Sequence, residues 1–255
     1  MTKCGATRWD SIAECAGGAR VIRHRAIKCF GVGESQVEAM LPDLIRRGRE
    51  PLVGINASQA TIILRISAEG TTAEEADSRM IPTVETIHSC LGNVVFGEED
   101  DELQDAVLRR LTERCSTLAV VELATEGLVA EWLAQARDSR PFVGGLVARS
   151  LESAARALGG SGEVRAQAAS GEEVERMASQ CRNHFDADYA LAVGPVSSSR
   201  PSSGEPAVVC FALAGPEGVV VHRHPYAGHP AIRRVLCGKA ALNFVRLVLL
   251  DVVQD

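Results

Sequence analysis

The stretch "VVELATEGLVAEWL", residues 120–133, decides the fold because it joins a buried strand directly to an amphipathic helix. The apolar run predicts the strand over residues 118–122, and the spacing of apolar side chains predicts the helix from about Glu126. A turn of this kind points backbone N–H groups at whatever lies above it, and many enzymes place a nucleophile there. Here the tip begins with Leu123 and Ala124, which carry no reactive group. The pattern therefore predicts an α/β platform that lacks a nucleophile.

The composition limits the class of protein. A chain of 255 residues is long enough for two ordinary domains, and 46% hydrophobic with 24% charged residues is typical of a soluble globular protein. The net charge of −6 and the 4% aromatic content argue against a chain-wide surface for nucleic acid. No apolar run reaches the length of a membrane span, and the first residues contain no secretory signal. A cytoplasmic protein without membrane contact is expected.

Cysteine and histidine spacing gives little support for a metal site. The eight cysteines contain no C-x-x-C pair, so reduced thiols are expected rather than a zinc ribbon. His222 and His224 lie two apart on a predicted strand, with His229 nearby, but no other ligand type is interleaved. The favoured interpretation is an exposed strand end, and neither a metal nor a cofactor is predicted.

The first half is predicted to have the order β-α-β-β-α-β of a split-βαβ, ferredoxin-like layer. Its strands are "RVIRHRAIKCFG", "EPLVGINAS", "ATIILRISAEG" and "NVVFG". Its helices are "ESQVEAMLPDLIRRG", closed by Gly48, and "TTAEEADSRMIPTVETIHSCLG". In the second helix Thr72 and Glu75 are spaced as a capping box, and Pro82 predicts a kink or a break.

The second half alternates strands and helices, which is typical of an α/β domain. The strands are "STLAVVEL", "FVGGLVAR", "DYALAVGPV", "PAVVCFALAG" and "GVVVHRHPY". The helices are "EGLVAEWLAQAR", "SLESAARALGG", "SGEEVERMASQCRNHF", which Ser170 and Glu173 would cap, and a long terminal "HPAIRRVLCGKAALNFVRLVLLDVV". A helix "ELQDAVLRRLTERC" connects the halves. The predicted fold class is α/β with two domains, over residues 20–112 and 113–255.

Five stretches carry a resemblance to a known family. "TLAVVELATEGLVAEWL", "FVGGLVARSLESAARALG" and "SGEEVERMASQCRNHFDADYALAV" resemble the C-terminal domain of the CinA family (competence/damage-inducible protein), which is also found alone as nicotinamide mononucleotide deamidase. "CFGVGESQVEAMLPDLIRRGREPLVGI" and "LGNVVFGEEDDELQDAVLRRL" are similar to the family's middle, KH-like domain. The resemblance implies a KH-like domain followed by a three-layer α/β domain. It also leads us to expect that the family's N-terminal domain, similar to molybdopterin-biosynthesis proteins, is missing from this chain.

The family's reaction is hydrolysis of the carboxamide of nicotinamide mononucleotide, which needs an activated nucleophile, a base and oxyanion donors. The family supplies these from a Ser, a Tyr, a Lys and a glycine-rich loop. In this chain the Ser, Tyr and Lys positions are Leu123, Arg149 and Ala154, and the loop after Val193 reads "GPVSSSRPSSGEP". No catalytic residue is therefore predicted, and deamidase activity is expected to be absent.

The resemblance nevertheless implies a vestigial ligand pocket. The expected pocket residues are Glu122, Thr125, Gly127, Gly144, Gly145, Arg149 and Gly194. Glu122 either grips a ligand amide or ribose at the end of its strand, or caps the helix that follows. Arg149 either anchors a phosphate or is solvated. Thr125 is predicted to be the N-cap of the helix.

Cationic side chains in the first half raise the question of RNA binding, which the KH resemblance suggests. They are Arg20, Arg23, Arg25 and Lys28 on the first strand, and Arg46, Arg47 and Arg49 at the end of the next helix. Residues 98–102 are all acidic, and the turn at residues 31–34 matches a KH-type Gly-x-x-Gly only loosely. Nucleic-acid binding is therefore disfavoured, and the serine-rich loop at residues 197–203 is interpreted as exposed rather than phosphate-binding.

Three hypotheses about function result. The first is a catalytically inactive binding or scaffold module, with a possible nucleotide ligand and an unknown protein partner. The second is an amidohydrolase with a rearranged site, in which Glu122 activates water. The third is weak RNA binding by the KH-like domain. The resemblance also implies a homodimer formed through the second domain. Core packing explains the apolar side of the last helix equally well, at Leu242, Phe244, Val245, Val248, Leu249 and Val252.

Overall fold

The computed structural model describes residues 20–41, 43–46, 48–160, 171–197 and 207–252. The chain forms two compact units, divided between Asp100 and Asp101. The predicted mixed α/β architecture with two domains is confirmed. The proposed Ser170 cap, Arg47 and most of the serine-rich loop lie outside the described residues.

The first unit has the predicted order β-α-β-β-α-β. Its elements are β1 Val21–Cys29, α1 Glu34–Met40, β2 Leu52–Ser58, β3 Thr61–Gly70, α2 Ala73–Leu91 and β4 Val95–Glu98. The strands pair in the order β2-β3-β1-β4, and each pair is antiparallel. In each of the two βαβ units, β1-α1-β2 and β3-α2-β4, a strand of the other unit lies between the two strands. This arrangement is the split-βαβ layer.

The core of the first unit lies between the sheet and its helices. Alternate residues of β1 and β3, including Ile27, Leu64 and Ile66, are fully buried, because successive strand side chains point to opposite faces. They pack with Met80 and Ile87 of α2, which are spaced to lie on one side of that helix. The apolar periodicity of the sequence is therefore sufficient to place this core.

Both helices of the first unit differ from their predicted form. α1 ends at Met40 rather than continuing to Gly48, because the residue before a proline, here Leu41, is disfavoured in a helical conformation. α2 continues unbroken through Pro82, so the expected break is wrong. Pro82 has no N–H group to donate to the carbonyl of Ser78, four residues earlier in the helix. Ser78 and Pro82 are both exposed, so water can solvate that carbonyl.

Only half of the predicted capping box forms at the start of α2. The Thr72 hydroxyl accepts a hydrogen bond from the Glu75 N–H at 3.2 Å, as expected for an N-cap. The Glu75 carboxylate instead accepts from the hydroxyl and the N–H of Thr71, each at 2.6 Å. These bonds lower the pKa of Glu75 to about 2.

The second unit is a three-layer α/β domain. Its elements are α3 Leu103–Glu113, β5 Leu118–Glu122, α4 Leu128–Gln135, β6 Phe142–Val147, α5 Leu151–Ala157, α6 Gly171–Phe185, β7 Tyr189–Val196, β8 Val208–Gly215, β9 Gly218–Pro225 and α7 Arg233–Leu249. The sheet order is β6-β5-β7-β8-β9, with the first three strands parallel and the last two antiparallel to their neighbours. Among the described residues, no helix is long and apolar enough to cross a membrane.

Helices cover both faces of this sheet. One face carries α6, and the sheet residues beneath it are mostly alanines, including Ala119, Ala192 and Ala212, which allow close approach of the helix. α4 and α7 cover the other face, and α3 packs on them. α7 is buried on most of its surface within this unit, which accounts for its apolar sequence.

α3 belongs to the second unit, whereas the sequence placed the boundary after it, near residue 112. The helix buries Leu103, Val107 and Leu111 against α4 and α7. Its amphipathic pattern predicts that one side is buried but does not say against which domain. The division between the units therefore lies before α3 in the sequence and not after it.

Four rings pack together where β8, β9 and α7 meet. His222 stacks on Phe244 with ring centroids 5.7 Å apart, and His224 stacks on Phe211 at 5.5 Å. The two phenylalanines are buried, and the imidazoles partly cover them. Burial lowers the pKa of His222, and burial together with the neighbouring His222 lowers the pKa of His224.

This cluster predicts a loss of stability in mild acid. Because both folded-state pKa values lie below the ordinary value of 6.5, the unfolded chain binds more protons, and stability falls as pH drops below 6.5. The double variant His222→Phe/His224→Phe should lose less thermal stability between pH 7 and pH 5 than the wild type. The exposed His229→Phe serves as control. Equal losses in the double variant and the wild type would contradict the assignment.

Candidate functional site

A cleft of about 510 Å³ lies at the carboxyl ends of the parallel strands β5, β6 and β7. The chain leaves β5 through α4 to reach β6 on one side of it, and then returns through α5 and α6 to β7 on the other side. α/β proteins bind ligands where the strand order reverses in this way. The described residues that line the cleft are Leu123, Ala124, Glu126, Val147, Ala148, Arg149, Pro195, Val196 and Tyr226. The cleft thus occupies the expected place for a site.

The turn after β5 does not offer its first backbone N–H groups to a ligand. The Leu123 N–H donates to the Val193 carbonyl at 3.0 Å, and the Ala124 N–H donates to the Gly194 carbonyl at 3.3 Å. The turn therefore extends its pairing with β7 past the end of the strand. The apolar side chains of Leu123 and Ala124 line the cleft instead of a nucleophile.

Glu122, the last residue of β5, is fully buried beneath the cleft. Its two carboxylate oxygens accept hydrogen bonds from the N–H groups of Val129 and Ala130, at 3.0 and 2.7 Å. Of the two interpretations left open by the sequence, the geometry supports capping of α4. The carboxylate occupies the helix N-terminus, where an anionic ligand would otherwise be attracted.

The N-cap of α4 is Gly127, so the prediction that Thr125 caps the helix is wrong. Glu126 and Gly127 both adopt left-handed backbone conformations, with φ of 54° and 92°, and the helix begins only at Leu128. Gly127 has no side chain to cap with, and the buried Glu122 supplies the missing acceptor. The Thr125 hydroxyl is buried and has no hydrogen-bond partner among the described residues.

The remaining predicted pocket glycines lie in the packing below the cleft. A methyl group on Gly144 would lie 2.9 Å from the Phe185 ring, and one on Gly145 would lie 2.7 Å from Val120. One on Gly194 would lie 2.7 Å from Val174 and 3.1 Å from the Cys210 carbonyl oxygen. These glycines permit close packing of sheet and helices, and among the seven predicted pocket residues only Arg149 lines the cleft.

Arg149 follows β6 on one wall of the cleft. Its side chain is exposed and makes no ion pair or hydrogen bond with any residue that the structure describes. Ala154, which stands at the position of the family's Lys, does not line the cleft. It is fully buried in the core against α6. Ala154 therefore contributes no polar group to the cleft, and Arg149 is a cation there without a partner among the described residues.

The opposite wall contains residues that the sequence analysis missed. Tyr226 lines the cleft, and the Arg233 guanidinium lies over its ring, 5.4 Å from the centroid. Arg234 forms an ion pair with Glu126 at 3.0 Å. β8 is antiparallel to both β7 and β9, so β7 and β9 end at the same edge of the sheet. The sequence alone does not give this strand order, and without it the residues after β9 cannot be assigned to the cleft.

The described structure gives little support to a metal site at the histidines or to an RNA surface on the first unit. His222 and His224 pack on phenylalanines, and the described residues contain no group of three metal-ligating side chains. In the first unit, Arg20 and Arg23 form ion pairs with Glu69 and Asp77, at 3.2 and 3.4 Å. The basic strand is thus partly neutralised by its own unit, which weakens the case for an RNA surface.

A split-βαβ layer followed by a three-layer domain with a cleft at its parallel edge defines a two-domain α/β protein. The model of the damage-inducible protein CinA KH domain matches residues 24–97, and that of the CinA C-terminal domain matches residues 100–249. The chain belongs to the CinA family.

Relatives and a solved structure agree with this assignment. A CinA-like protein of Frankia casuarinae is 33% identical over 241 residues, covering 92% of this chain and 56% of the relative. A CinA-like protein of Synechococcus sp. RCC307 is 32% identical over 244 residues, covering 91% and 57%. The chain thus spans about half the length of these curated relatives. A CinA superfamily protein of Klebsiella pneumoniae 700603 shares the fold, with a TM-score of 0.50 and 23% identity over 58% of this chain and 96% of that chain.

The buried cap predicts a clear stability effect. Glu122→Gln keeps the shape of the side chain but turns an NH₂ group toward a backbone N–H, so one buried donor loses its acceptor. The free energy of unfolding should fall by about 2 kcal/mol, measured by urea denaturation. Glu152→Gln, an exposed carboxylate on α5, is the matched control and should change it by less than about 0.5 kcal/mol. Equal effects would refute the capping role.

Proposed function

We propose that this chain is a non-catalytic member of the CinA family whose C-terminal domain binds a ligand without hydrolysing it. One observation carries the proposal: the described residues that line the cleft include no serine, threonine, cysteine, lysine or histidine. Amide hydrolysis requires a nucleophile or an activated water, together with a base. Without these groups the transition state loses several kcal/mol of stabilisation or more.

The polar groups that do line the cleft are poor substitutes. The Glu126 carboxylate is held by Arg234, and the Tyr226 ring is covered by Arg233. Arg149 remains a cation and cannot accept a proton. These partners favour binding of a ligand over chemistry on it.

An amidohydrolase that uses Glu122 to activate water is the alternative, and the geometry disfavours it. A general base must lie within hydrogen-bond reach of the proton that it removes. Glu122 has no exposed surface, and both of its oxygens accept backbone N–H groups of α4. Releasing the carboxylate for catalysis would leave those N–H groups without a partner.

The charges of the cleft walls favour an anionic ligand with a planar ring. Arg149 supplies an unpaired guanidinium on one wall, and Tyr226 with Arg233 supplies an aromatic face backed by a second cation. Leu123, Ala124 and the end of β6 provide an apolar surface between them. A mononucleotide fits this description, with its phosphate at Arg149 and its base against Tyr226.

We also propose where the protein is located and how it assembles. We place it in the cytoplasm, where the free thiols of the six described cysteines would remain reduced. The homodimer remains a prediction, as does an unknown protein partner. The buried residues of α7 already account for its apolar side within one chain, so that helix does not require a second copy.

The absence of catalysis is tested by incubating nicotinamide mononucleotide with micromolar protein and measuring the acid product by mass spectrometry. We expect no product above a blank without protein, because the described lining of the cleft includes no serine, threonine, cysteine, lysine or histidine, and the Glu126 carboxylate is held by Arg234. A competent family member run alongside shows that the assay works. Product that rises in proportion to protein concentration would overturn the proposal.

Ligand binding is tested separately through Arg149. Arg149→Gln should weaken binding of nicotinic acid mononucleotide by roughly five- to tenfold in calorimetry, because it removes a cation of the cleft that has no partner among the described residues. Arg156→Gln, which removes an exposed arginine paired with Glu152 on α5, is the matched control and should not change the affinity. Unchanged affinity in Arg149→Gln would exclude this arginine as the anchor.

A further inference from the structure

A second cavity of about 310 Å³ lies at the opposite edge of the same sheet. β7 begins there at Tyr189, β8 ends at Gly215, β9 begins at Gly218, and α7 ends nearby at Leu249. β7 and β9 run from this cavity toward the cleft and β8 runs in the opposite direction, so the two cavities are separated by the full length of β7 and β8. Its volume is at the lower end of the range for sites that take small molecules.

The inside of this cavity combines polar groups with aliphatic side chains and one aromatic ring. Leu213, Val220 and Val248 supply aliphatic surface. The Tyr189 ring lies directly against Gly215, where a methyl group would come within 2.8 Å of the ring edge. The Tyr189 hydroxyl makes no hydrogen bond within the part of the chain that the structure describes, so it is available to a ligand.

The rim of the cavity has an excess of negative charge. The Arg114 guanidinium donates to the Leu249 carbonyl at 2.7 Å and pairs with Asp251 at 3.3 Å, so its charge is already compensated. Glu217, at the turn between β8 and β9, forms no ion pair with any described residue. The carbonyl end of α7 adds a partial negative charge on the same side.

We propose that this cavity binds a small amphipathic cation, namely a primary ammonium group on an aromatic or alkyl stem. The stem packs against Val220 and Val248, which are partly exposed, and reaches the buried Leu213 between them. The ammonium group lies between the Glu217 carboxylate and the Tyr189 hydroxyl, and the Tyr189 ring adds a cation–π attraction. This site is independent of the proposed function of the cleft.

The probe is phenethylamine, titrated into the full chain and followed by amide chemical shifts in NMR. We expect saturable shifts at Tyr189, Gly215 and Gly218. 2-Phenylethanol, which lacks the charge, should bind roughly three- to fivefold more weakly, and phenylacetate should not bind. Equal affinity for the amine and the alcohol, shifts confined to the cleft, or no saturable shifts would each overturn the proposal.

Three variants, one of them a control, separate the site from a general attraction of cations to an acidic protein. Glu217→Gln should weaken phenethylamine binding roughly three- to fivefold and leave 2-phenylethanol binding unchanged. Glu131→Gln changes the net charge equally at an exposed position on α4 and should have no effect. Tyr189→Phe, which keeps the ring but removes the hydroxyl, should weaken the amine as well. Equal effects of Glu217→Gln and Glu131→Gln would refute the site.

Discussion

The carboxylate of Glu122 ties the start of α4 to the end of β5, and the chemistry of the cleft depends on this contact. The two N–H groups that it accepts, from Val129 and Ala130, belong to the part of a helix that attracts anions. Gly127 has no side chain that could accept hydrogen bonds from the first turn of α4, so the Glu122 carboxylate is the acceptor instead. Glu122 is then fully buried with both oxygens held by α4, and the described residues that line the cleft above it include no histidine or lysine.

The same cleft shows which parts of the fold are constrained by packing and which are not. The sheet order and the packing glycines Gly145 and Gly194 maintain the platform, because larger residues there would clash with Val120 and Val174. The walls are under no such constraint, and Arg149 and Tyr226 line them. Family membership therefore describes the architecture, whereas the side chains at the strand ends decide between catalysis and binding.

The sequence predicted most of the fold because its strands and helices have clear periodicity. The wrong or missing predictions share a physical cause. A local sequence pattern does not show which residues of other elements, or how much solvent, a segment contacts in the folded chain. Thr125 is a good N-cap by type, but the left-handed conformations of Glu126 and Gly127 move the helix start beyond it. Pro82 is tolerated because the affected carbonyl is exposed. Tyr226 was missed because only the strand order brings the end of β9 to the cleft.

The most direct test of this account is a titration of the full chain with inorganic phosphate, followed by NMR at the amides of Val129 and Ala130. Because the Glu122 carboxylate already occupies both N–H groups, we expect no saturable shift at either amide. A saturable shift at both amides would mean that the helix N-terminus is open to anions. Glu122 would then be displaced from its capping position and available for chemistry, which would contradict the account.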